Sequence, residues 1–225
     1  MPGIILNKAM KFHLKPNTAN YVNYKNKKIT YKMKKISLAA MIALAALSFQ
    51  ACNNAAKDSK ETADSVNAVK DTTTNGSTGI AVAEMDAKFA TDAASAGMAE
   101  VAAGKMAAEK ATNPQVKEFA SMMVMDHTKA NEELMAIAKT KNITLPTAPD
   151  EDHQKMAADL GKKSGKEFDK AYVDAMVDGH KKVASMLEDA SKNCKDMELM
   201  AFATKTLPTV QAHLAKIEAI QKAMK

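Results

Sequence analysis

The sequence predicts an all-α protein whose folded part is a four-helix bundle. From residue 81 onward the chain is rich in Ala, Lys, Met and Glu, which favour helices, and has few Gly and Pro residues, which interrupt them. Apolar side chains in this part recur at spacings of three and four residues, the period of one helix face. We therefore expect one helical domain over residues 81–225.

Four long helical segments and one short one account for this domain. The long segments are expected over residues 86–111, 114–140, 165–193 and 196–224. Asn113 and Pro114 are typical of a helix start and begin the second segment. Pro208 lies inside the fourth segment and predicts a kink or one interrupted turn there. The short polar helix is expected over residues 150–162.

The connection between the second and third long helices indicates the topology. Residues 141–164 can cover the roughly 40 Å length of one long helix, so these two helices can run parallel. Two tight hairpins joined by such a crossover form a ferritin-like four-helix bundle, here with a short extra helix in the crossover. A plain up-and-down bundle is the alternative.

Residues 33–52 have the form of a bacterial lipoprotein signal peptide. Lys34 and Lys35 precede an apolar run over residues 36–49, and the small residue Ala51 precedes Cys52. The apolar run is shorter than the roughly 20 residues that a membrane-spanning helix needs. Cys52 is therefore the predicted lipidation site; an ordinary cleaved signal or an uncleaved anchor is the alternative.

This leader predicts where the protein works. A lipidated Cys52 attaches the chain to a membrane of the bacterial cell envelope, and the outer membrane facing the periplasm is the expected location. Residues 1–32 precede the signal peptide and are expected to be a spurious or disordered extension. Residues 53–80 contain almost no large apolar side chain and are expected to form a disordered, flexible tether between anchor and bundle.

Charge and cysteine content exclude several classes of function. Residues 1–52 carry nine lysines and no acidic residue, so the rest of the chain has 23 lysines against 26 acidic residues. The chain has no arginine, and nucleic-acid binding is therefore not expected. With Cys52 lipidated, Cys194 has no intrachain partner and is expected to be a free, partly exposed thiol.

Three histidines share one pattern on three helices. His127, His180 and His213 each lie on the apolar stripe near the middle of a helix. A valine precedes each at the third position before it, and a leucine or isoleucine follows each at the seventh position after it. The shift in numbering that carries His127 onto His180 also carries Phe119 onto Tyr172, so we expect the helices that hold them to line the same core.

One inward carboxylate completes a candidate metal site. Glu100 lies on the stripe of the first long helix and His127 on that of the second, almost equally far along the chain from the turn at Asn113. The two are therefore expected at the same height in the bundle. Glu100, His127, His180 and His213 form a predicted first shell for a divalent transition metal. The alternative is a polar core in which Glu100 accepts hydrogen bonds from buried histidines.

Neighbouring residues refine this hypothesis. Met123 and Met176 each stand one helical turn before a site histidine, and thioether with imidazole suits copper, although methionine at this spacing more often fills gaps in a core. Asp126 is expected beside His127, behind the ligands. The sequence contains no nucleophile triad, glycine-rich phosphate loop or paired-cysteine motif.

Several ordered motifs resemble one known family. They comprise Glu100-Val101 with Gly104 and the patterned segments 116–134, 168–180 and 206–214. Over about residues 89–219 the chain resembles the domain of unknown function 4142 family, whose members are ferritin-like and are often described as predicted outer membrane proteins or lipoproteins. The resemblance implies a helical bundle and an envelope location, with no established reaction.

Comparison with di-iron ferritin-like enzymes disfavours one class of chemistry. Those enzymes use a Glu-x-x-His motif on two helices. Here the residues three before the histidines are Val124, Val177 and Val210, so the bridging carboxylates are absent. Ferroxidase or oxygen-activating chemistry is therefore not expected.

Three functions remain open from the sequence. The first is a non-enzymatic lipid-anchored envelope protein, a binding or stress-protection module with a metal site in its core. The second is a mononuclear metal-dependent redox or hydrolytic enzyme that uses the same four residues. The third is a purely structural or protein-interaction module.

Overall fold

A computed structural model describes residues 58–72 and 82–224, and every regular secondary-structure element in this part of the chain is a helix. Its helices are α1 Ser59–Thr72, α2 Glu84–Lys110, α3 Pro114–Thr140, α4 Glu151–Gly161, α5 Gly165–Asn193 and α6 Met197–Ala223. The predicted all-α bundle and its short crossover helix are confirmed. The predicted signal peptide and the Cys52 lipidation site lie outside the described residues. No helix in the described ranges is long and apolar enough to cross a membrane.

Helices α3 and α6 lie side by side and run antiparallel. Lys205 of α6 pairs with Glu133 of α3 at 2.7 Å, and several turns farther along the bundle Lys216 pairs with Glu118 at 2.9 Å. Residue numbers rise along α6 as they fall along α3. The two helices therefore point in opposite directions.

Helices α2 and α5 are antiparallel too, and a buried aspartate joins them at each end. Asp86, near the start of α2, accepts hydrogen bonds of 2.6 and 2.9 Å from two backbone N–H groups in the turn between α5 and α6. Asp169, near the start of α5, accepts from the backbone N–H groups of Thr112 and Asn113 in the turn between α2 and α3, both at 2.9 Å. These carboxylates accept hydrogen bonds from backbone N–H groups at the starts of α3 and α6 that would otherwise have no partner within the helices.

The two antiparallel pairs fix the topology. Helix α2 is also antiparallel to α3, because the short turn over residues 111–113 joins them and they pack on each other. Since α2 is antiparallel to both α3 and α5, α3 and α5 are parallel and a crossover must return the chain along the bundle. Helix α4 lies in that crossover and packs on α2 and α5. Ser95 of α2 holds the start of α4, because its hydroxyl donates a 2.8 Å hydrogen bond to Asp150, the N-cap residue of α4. This is the crossover arrangement that the sequence predicted, and the up-and-down alternative is excluded.

The core consists of two apolar clusters, one toward each end of the bundle. One surrounds Phe89 and Phe202 and includes Leu134, Leu187 and Leu199. The other contains Val116, Phe119, Met123, Phe168, Tyr172, Met176 and Ile217. The three site histidines lie in the interior at mid-helix, where the two clusters meet.

One constant offset in residue number relates the two hairpins. It pairs buried residues that occupy corresponding places: Asp86 with Asp169, Phe89 with Tyr172, and Phe119 with Phe202. Their contacts repeat as well, since ring centroids are 6.4 Å apart for Phe89 and Phe202 and 6.5 Å for Phe119 and Tyr172. The bundle therefore has an internal pseudo-twofold relation. The shorter shift found in the sequence instead matches α3 with α5, the diagonal helices that face the same core.

The expected flexible tether over residues 53–80 requires a correction. Residues 59–72 form α1, which packs on α2 and buries Ala63 and Asn67. The Asn67 side chain makes two hydrogen bonds to the backbone of Thr144, at 2.8 and 2.9 Å, and Lys60 pairs with Asp92 at 2.8 Å. Polar contacts with residues distant in sequence hold this helix, so its low apolar content concealed it.

The expected exposure of Cys194 was also wrong, and the prediction at Pro208 is narrowed. Cys194 is buried beside Asp86, and burial raises the pKa of its thiol to about 12, so it is a protonated core residue and not a partly exposed thiol. Pro208 lies inside one continuous helix, Met197–Ala223, so of the two predicted outcomes the interrupted turn is absent and the kink stays a prediction. The missing N–H group of a proline leaves one carbonyl of α6 without its usual donor but does not end the helix.

Candidate metal centre

Three helices bring three imidazoles together inside the bundle. His127 on α3, His180 on α5 and His213 on α6 are 6%, 0% and 3% exposed. Their ring centroids are 5.3–5.7 Å apart. The mid-helix positions and the shared stripe place all three at one level, as the sequence predicted.

Glu100 holds the ring of His127. Its Oε2 atom lies 2.9 Å from Nδ1 of His127, and the carboxylate is 6% exposed. A buried carboxylate at this distance accepts the Nδ1 hydrogen and fixes the tautomer of the imidazole. The Nε2 atom of His127 is thereby left as the lone-pair nitrogen, and it makes no hydrogen bond within the described residues.

His180 is oriented in the same way. Its Nδ1 atom donates to the backbone carbonyl of Met176 at 2.9 Å, one turn earlier in α5. Oε1 of Glu100 lies 3.4 Å from the same nitrogen. The Nε2 atom of His180 is likewise buried and without a hydrogen-bond partner among the described residues.

His213 is held from the opposite ring nitrogen. Its Nε2 atom lies 2.9 Å from Oδ2 of Asp126, the residue before His127 on α3. Its Nδ1 atom is then the buried nitrogen that has no partner in the described part of the chain. In each of the three rings, therefore, one nitrogen is bonded to an oxygen and the other is a buried lone-pair nitrogen without a partner among the described residues.

The arrangement suits a metal ion. Among the described residues, one ligand atom from each histidine lies within 4.8 Å of the others. A tetrahedral ion with bonds of about 2.0–2.1 Å brings its nitrogens to roughly 3.4 Å of one another, so binding draws the rings slightly inward. Buried polar atoms without partners are rare in folded proteins, and an ion satisfies all three nitrogens at once. Three histidines leave a fourth position open.

Electrostatics favour the protonation state that binds metals. Burial lowers the pKa of His180 and of His213, since desolvation penalises the imidazolium. Burial acts to raise the pKa of Glu100, but the neighbouring imidazoles, His127 above all, hold that pKa below its usual value. At neutral pH the site therefore offers the neutral imidazoles of His180 and His213 beside the ionised carboxylate of Glu100.

An aromatic residue packs against the site. The ring centroid of Phe119 lies 6.2 Å from that of His180 and 6.3 Å from that of His213. From the sequence, Phe119 was only matched with Tyr172 by the shift that carries His127 onto His180. Its position about two turns before His127, on the same helix face, is the signal that could have connected it with the site.

The predicted site residues fall into two groups. The structure brings the three histidines together as candidate ligands, whereas Glu100 lies beside the Nδ1 atoms of His127 and His180, behind those rings. Asp126 likewise lies behind the ring of His213, where it contacts the Nε2 atom. Met123 and Met176 are buried in an apolar cluster, and Met176 reaches the site through its carbonyl oxygen.

A cavity of about 150 Å³ opens beside two of the histidines. It lies between α3 and α6 and is lined by His127, His213 and Asp126, with Glu133 and Lys205 at its rim. The Lys205–Glu133 ion pair spans the two helices there at 2.7 Å. This opening gives small ions and molecules a route to the histidines.

Solved structures share this architecture. The crystal structure of a DUF305 fragment from Deinococcus radiodurans superposes with a TM-score of 0.56 at 12% sequence identity, covering 63% of this chain and 98% of that one. CopM in its Cu(II)-bound form superposes with a TM-score of 0.54 at 16% identity, covering 62% of this chain and 97% of that one. At these identities the likeness shows the helical-bundle fold alone.

Sequence comparison identifies the family. No curated protein sequence matches the chain significantly. A family model does match over residues 71–220, which is most of the helical domain. The chain therefore belongs to the family described as domain of unknown function (DUF4142).

Proposed function

We propose that this protein is a lipid-anchored binding protein of the bacterial envelope that holds one divalent transition-metal ion through His127, His180 and His213. The observation that carries the proposal is the convergence of three buried imidazoles, which bring one ligand nitrogen each to within 4.8 Å of the others and which each have one nitrogen without a hydrogen-bond partner among the described residues. A purely structural polar core pairs its buried nitrogens with other groups, and here three remain unpaired among the described residues. Binding or stress protection follows from holding the ion in a core.

The donor set narrows the choice of metal. Imidazole suits copper, zinc, nickel and iron, and hard cations such as Mg²⁺ prefer oxygen. The solved Cu(II)-bound form of CopM, a protein of similar fold, makes copper the first ion to test. Zinc is the second, since a three-histidine site with an open position is also a common zinc geometry.

Metal analysis of the purified protein tests the proposal. Full-length protein prepared without an affinity tag is loaded separately with Cu²⁺, Zn²⁺, Ni²⁺ and Mn²⁺, desalted and measured by plasma mass spectrometry. We expect about one ion per chain for the wild type and loss of that ion in the His127→Ala/His180→Ala variant.

A matched histidine provides the control. His153 lies on α4 and is bonded to Asp150, away from the three-histidine cluster, so His153→Ala should keep the ion. Circular dichroism checks that each variant is helical. A folded wild type that holds none of the four ions would contradict the proposal and leave a structural or protein-interaction role.

Catalysis is the second candidate function, and the cavity beside His127 and His213 favours it. A reactant that enters there would reach the open position of a mononuclear centre. Hydrolysis of an activated ester and oxidation of a catechol, each measured with the loaded wild type and the double histidine variant, test the two reaction types. Turnover that disappears with the histidines would support an enzyme; equal background rates would leave a binding protein.

The lipid anchor belongs to the same proposal. Helix α1 begins at Ser59, so residues 53–58 alone separate Cys52 from the first helix and can span no more than about 25 Å. We expect the domain to lie close to the outer membrane on its periplasmic side. Labelling with a clickable palmitate should be lost in Cys52→Ala, and membrane fractionation should then find the chain released.

A further inference from the structure

A second cavity lies on the other side of Glu100, between α2, α4 and α5. Its volume is about 320 Å³, within the range of sites for small molecules. Small residues on α2 and α5 open the space, and methionines from α4 and α5 form its walls: Ala96, Ala99, Ala175, Gly179, Met156 and Met186. The cavity does not contact His127 or His213 and is separate from the opening between α3 and α6.

The floor of this groove carries an unsatisfied acceptor. Glu100 lines the groove and is 6% exposed. Its Oε2 atom accepts from His127, but its Oε1 atom is buried and makes no hydrogen bond within the described residues. The nearest donor is Nδ1 of His180 at 3.4 Å, and that nitrogen donates to the carbonyl of Met176 instead.

Other charges on the groove are partnered or exposed. Asp92 pairs with two lysines, each at 2.8 Å. Asp150 caps α4 and contacts His153. Lys182 lies at the rim, where its side chain is exposed to solvent. The buried negative charge of the groove is therefore concentrated on Glu100. A buried carboxylate oxygen without a donor is costly, and a charged donor satisfies it most strongly.

We propose that this groove is a binding site for a small organic cation, a primary ammonium carried on an apolar body. The ammonium donates to Oε1 of Glu100, and the body packs against the methionines and the small residues of α2 and α5. An anion is excluded by the buried carboxylate. A neutral molecule of the same shape fits the walls but leaves the charge of Glu100 uncompensated.

The groove and the histidines share one carboxylate. Glu100 orients His127 with Oε2, and the same side chain, whose Oε1 has no hydrogen bond within the described residues, lines the groove. A cation there competes with the imidazoles for the charge of Glu100, so ammonium and metal weaken each other's binding reciprocally. This coupling rests on the proposed metal site, whereas ammonium binding does not.

Phenethylammonium and its uncharged analogue 2-phenylethanol test the site by calorimetry on the metal-free full-length protein. We expect phenethylammonium to bind at least about tenfold more tightly, since a charge-assisted hydrogen bond distinguishes the two. Gly179→Leu should abolish binding by filling the groove. Gly161→Leu, the same change at an exposed glycine of α4 outside the groove, is the matched control and should bind as wild type does, because a Cβ atom there meets nothing within 4 Å.

The Glu100→Gln variant provides a second test of the groove site. It should reduce phenethylammonium affinity about tenfold and leave 2-phenylethanol affinity unchanged. Equal affinity for the two probes, or binding that survives Gly179→Leu, would overturn the groove site. Phenethylammonium binding in a protein that takes up no metal would sustain the groove site while refuting the metal centre, so the two failures are distinguishable.

Discussion

The two hairpins of this bundle are built alike but differ at the centre. An aspartate near the start of α2 binds the turn of the second hairpin, and an aspartate near the start of α5 binds the turn of the first. The positions of the histidines break this relation. The offset that pairs Asp86 with Asp169 pairs His180, His213 and His127 with Gly97, Ala130 and Val210.

The comparison distinguishes the residues that build the scaffold from the residues that build the site. Residues that hold the hairpins together repeat, because both ends face the same task of capping a turn and filling a core. The site residues do not repeat, and an equivalent second cluster is absent from the described residues. Smaller residues stand where the second set of imidazoles would be, which leaves room for the first.

Removing one of two equivalent aromatic rings gives the largest expected effect. Phe119→Ala and Phe202→Ala each leave a cavity, and each should lower the free energy of unfolding by about 3–5 kcal/mol in urea titrations. Phe119 packs against two site histidines, so we expect Phe119→Ala alone to weaken metal binding as well. Equal metal affinity in both variants would show that the ring does not support the site.

The buried aspartates are the next comparison. Asp169 accepts from two backbone N–H groups and the Thr112 hydroxyl, whereas Asp86 accepts from two backbone N–H groups. Because unpaired buried donors are costly, Asp169→Ala should destabilise by about 3 kcal/mol and Asp86→Ala by about 2 kcal/mol in chemical denaturation. A smaller cost for Asp169 than for Asp86 would contradict the hydrogen-bond count.

The site also makes stability depend on pH. The pKa of His180 lies below its ordinary 6.5 in the folded protein, because burial disfavours the imidazolium. The unfolded chain therefore binds the proton first, and the metal-free protein should lose stability as pH falls below about 6.5. His180→Asn should flatten this part of the profile, measured by thermal unfolding between about pH 7.5 and 4.5. If stability depends on pH as steeply in His180→Asn as in the wild type, another group causes the loss of stability.

Two glycines give the smallest expected effects, with opposite signs. A Cβ atom at Gly104 would lie 3.1 Å from the carbonyl oxygen of Ala120, where α2 and α3 approach closely, so Gly104→Ala should destabilise by about 1–2 kcal/mol. At Gly179 the Cβ atom has open space, and Gly179→Ala should stabilise by about 0.5–1 kcal/mol. Thermal unfolding of both variants at one pH measures the contrast.

Much of the fold could be predicted because its determinants are local. Asn113 with Pro114 marks the start of α3, and the structure begins the helix at Pro114, where the Asn113 side chain accepts from the backbone N–H of Gln115. The apolar stripes placed the three histidines inside the bundle at one height. Helix periodicity determines which side a residue faces, so these predictions needed no knowledge of its neighbours.

Helix α1 could not be predicted in this way. It buries only Ala63 and Asn67 among its described side chains, so it has no apolar stripe to detect. It is stabilised by contacts between residues far apart in the sequence, such as the hydrogen bond from Asn67 to Thr144 and the ion pair between Lys60 and Asp92. Such pairs carry no periodic signal.

The sequence by itself determined the bundle helices and the inward direction of the histidines and favoured the crossover topology, because periodicity, caps and connection lengths are properties of neighbouring residues. The tertiary structure alone decided that Glu100 lies beside the imidazoles of His127 and His180 and lines the groove, and that Asp86 and Asp169 bind the opposite turns. Those relations depend on distances of a few ångströms between helices, and residue order along the chain does not encode them directly.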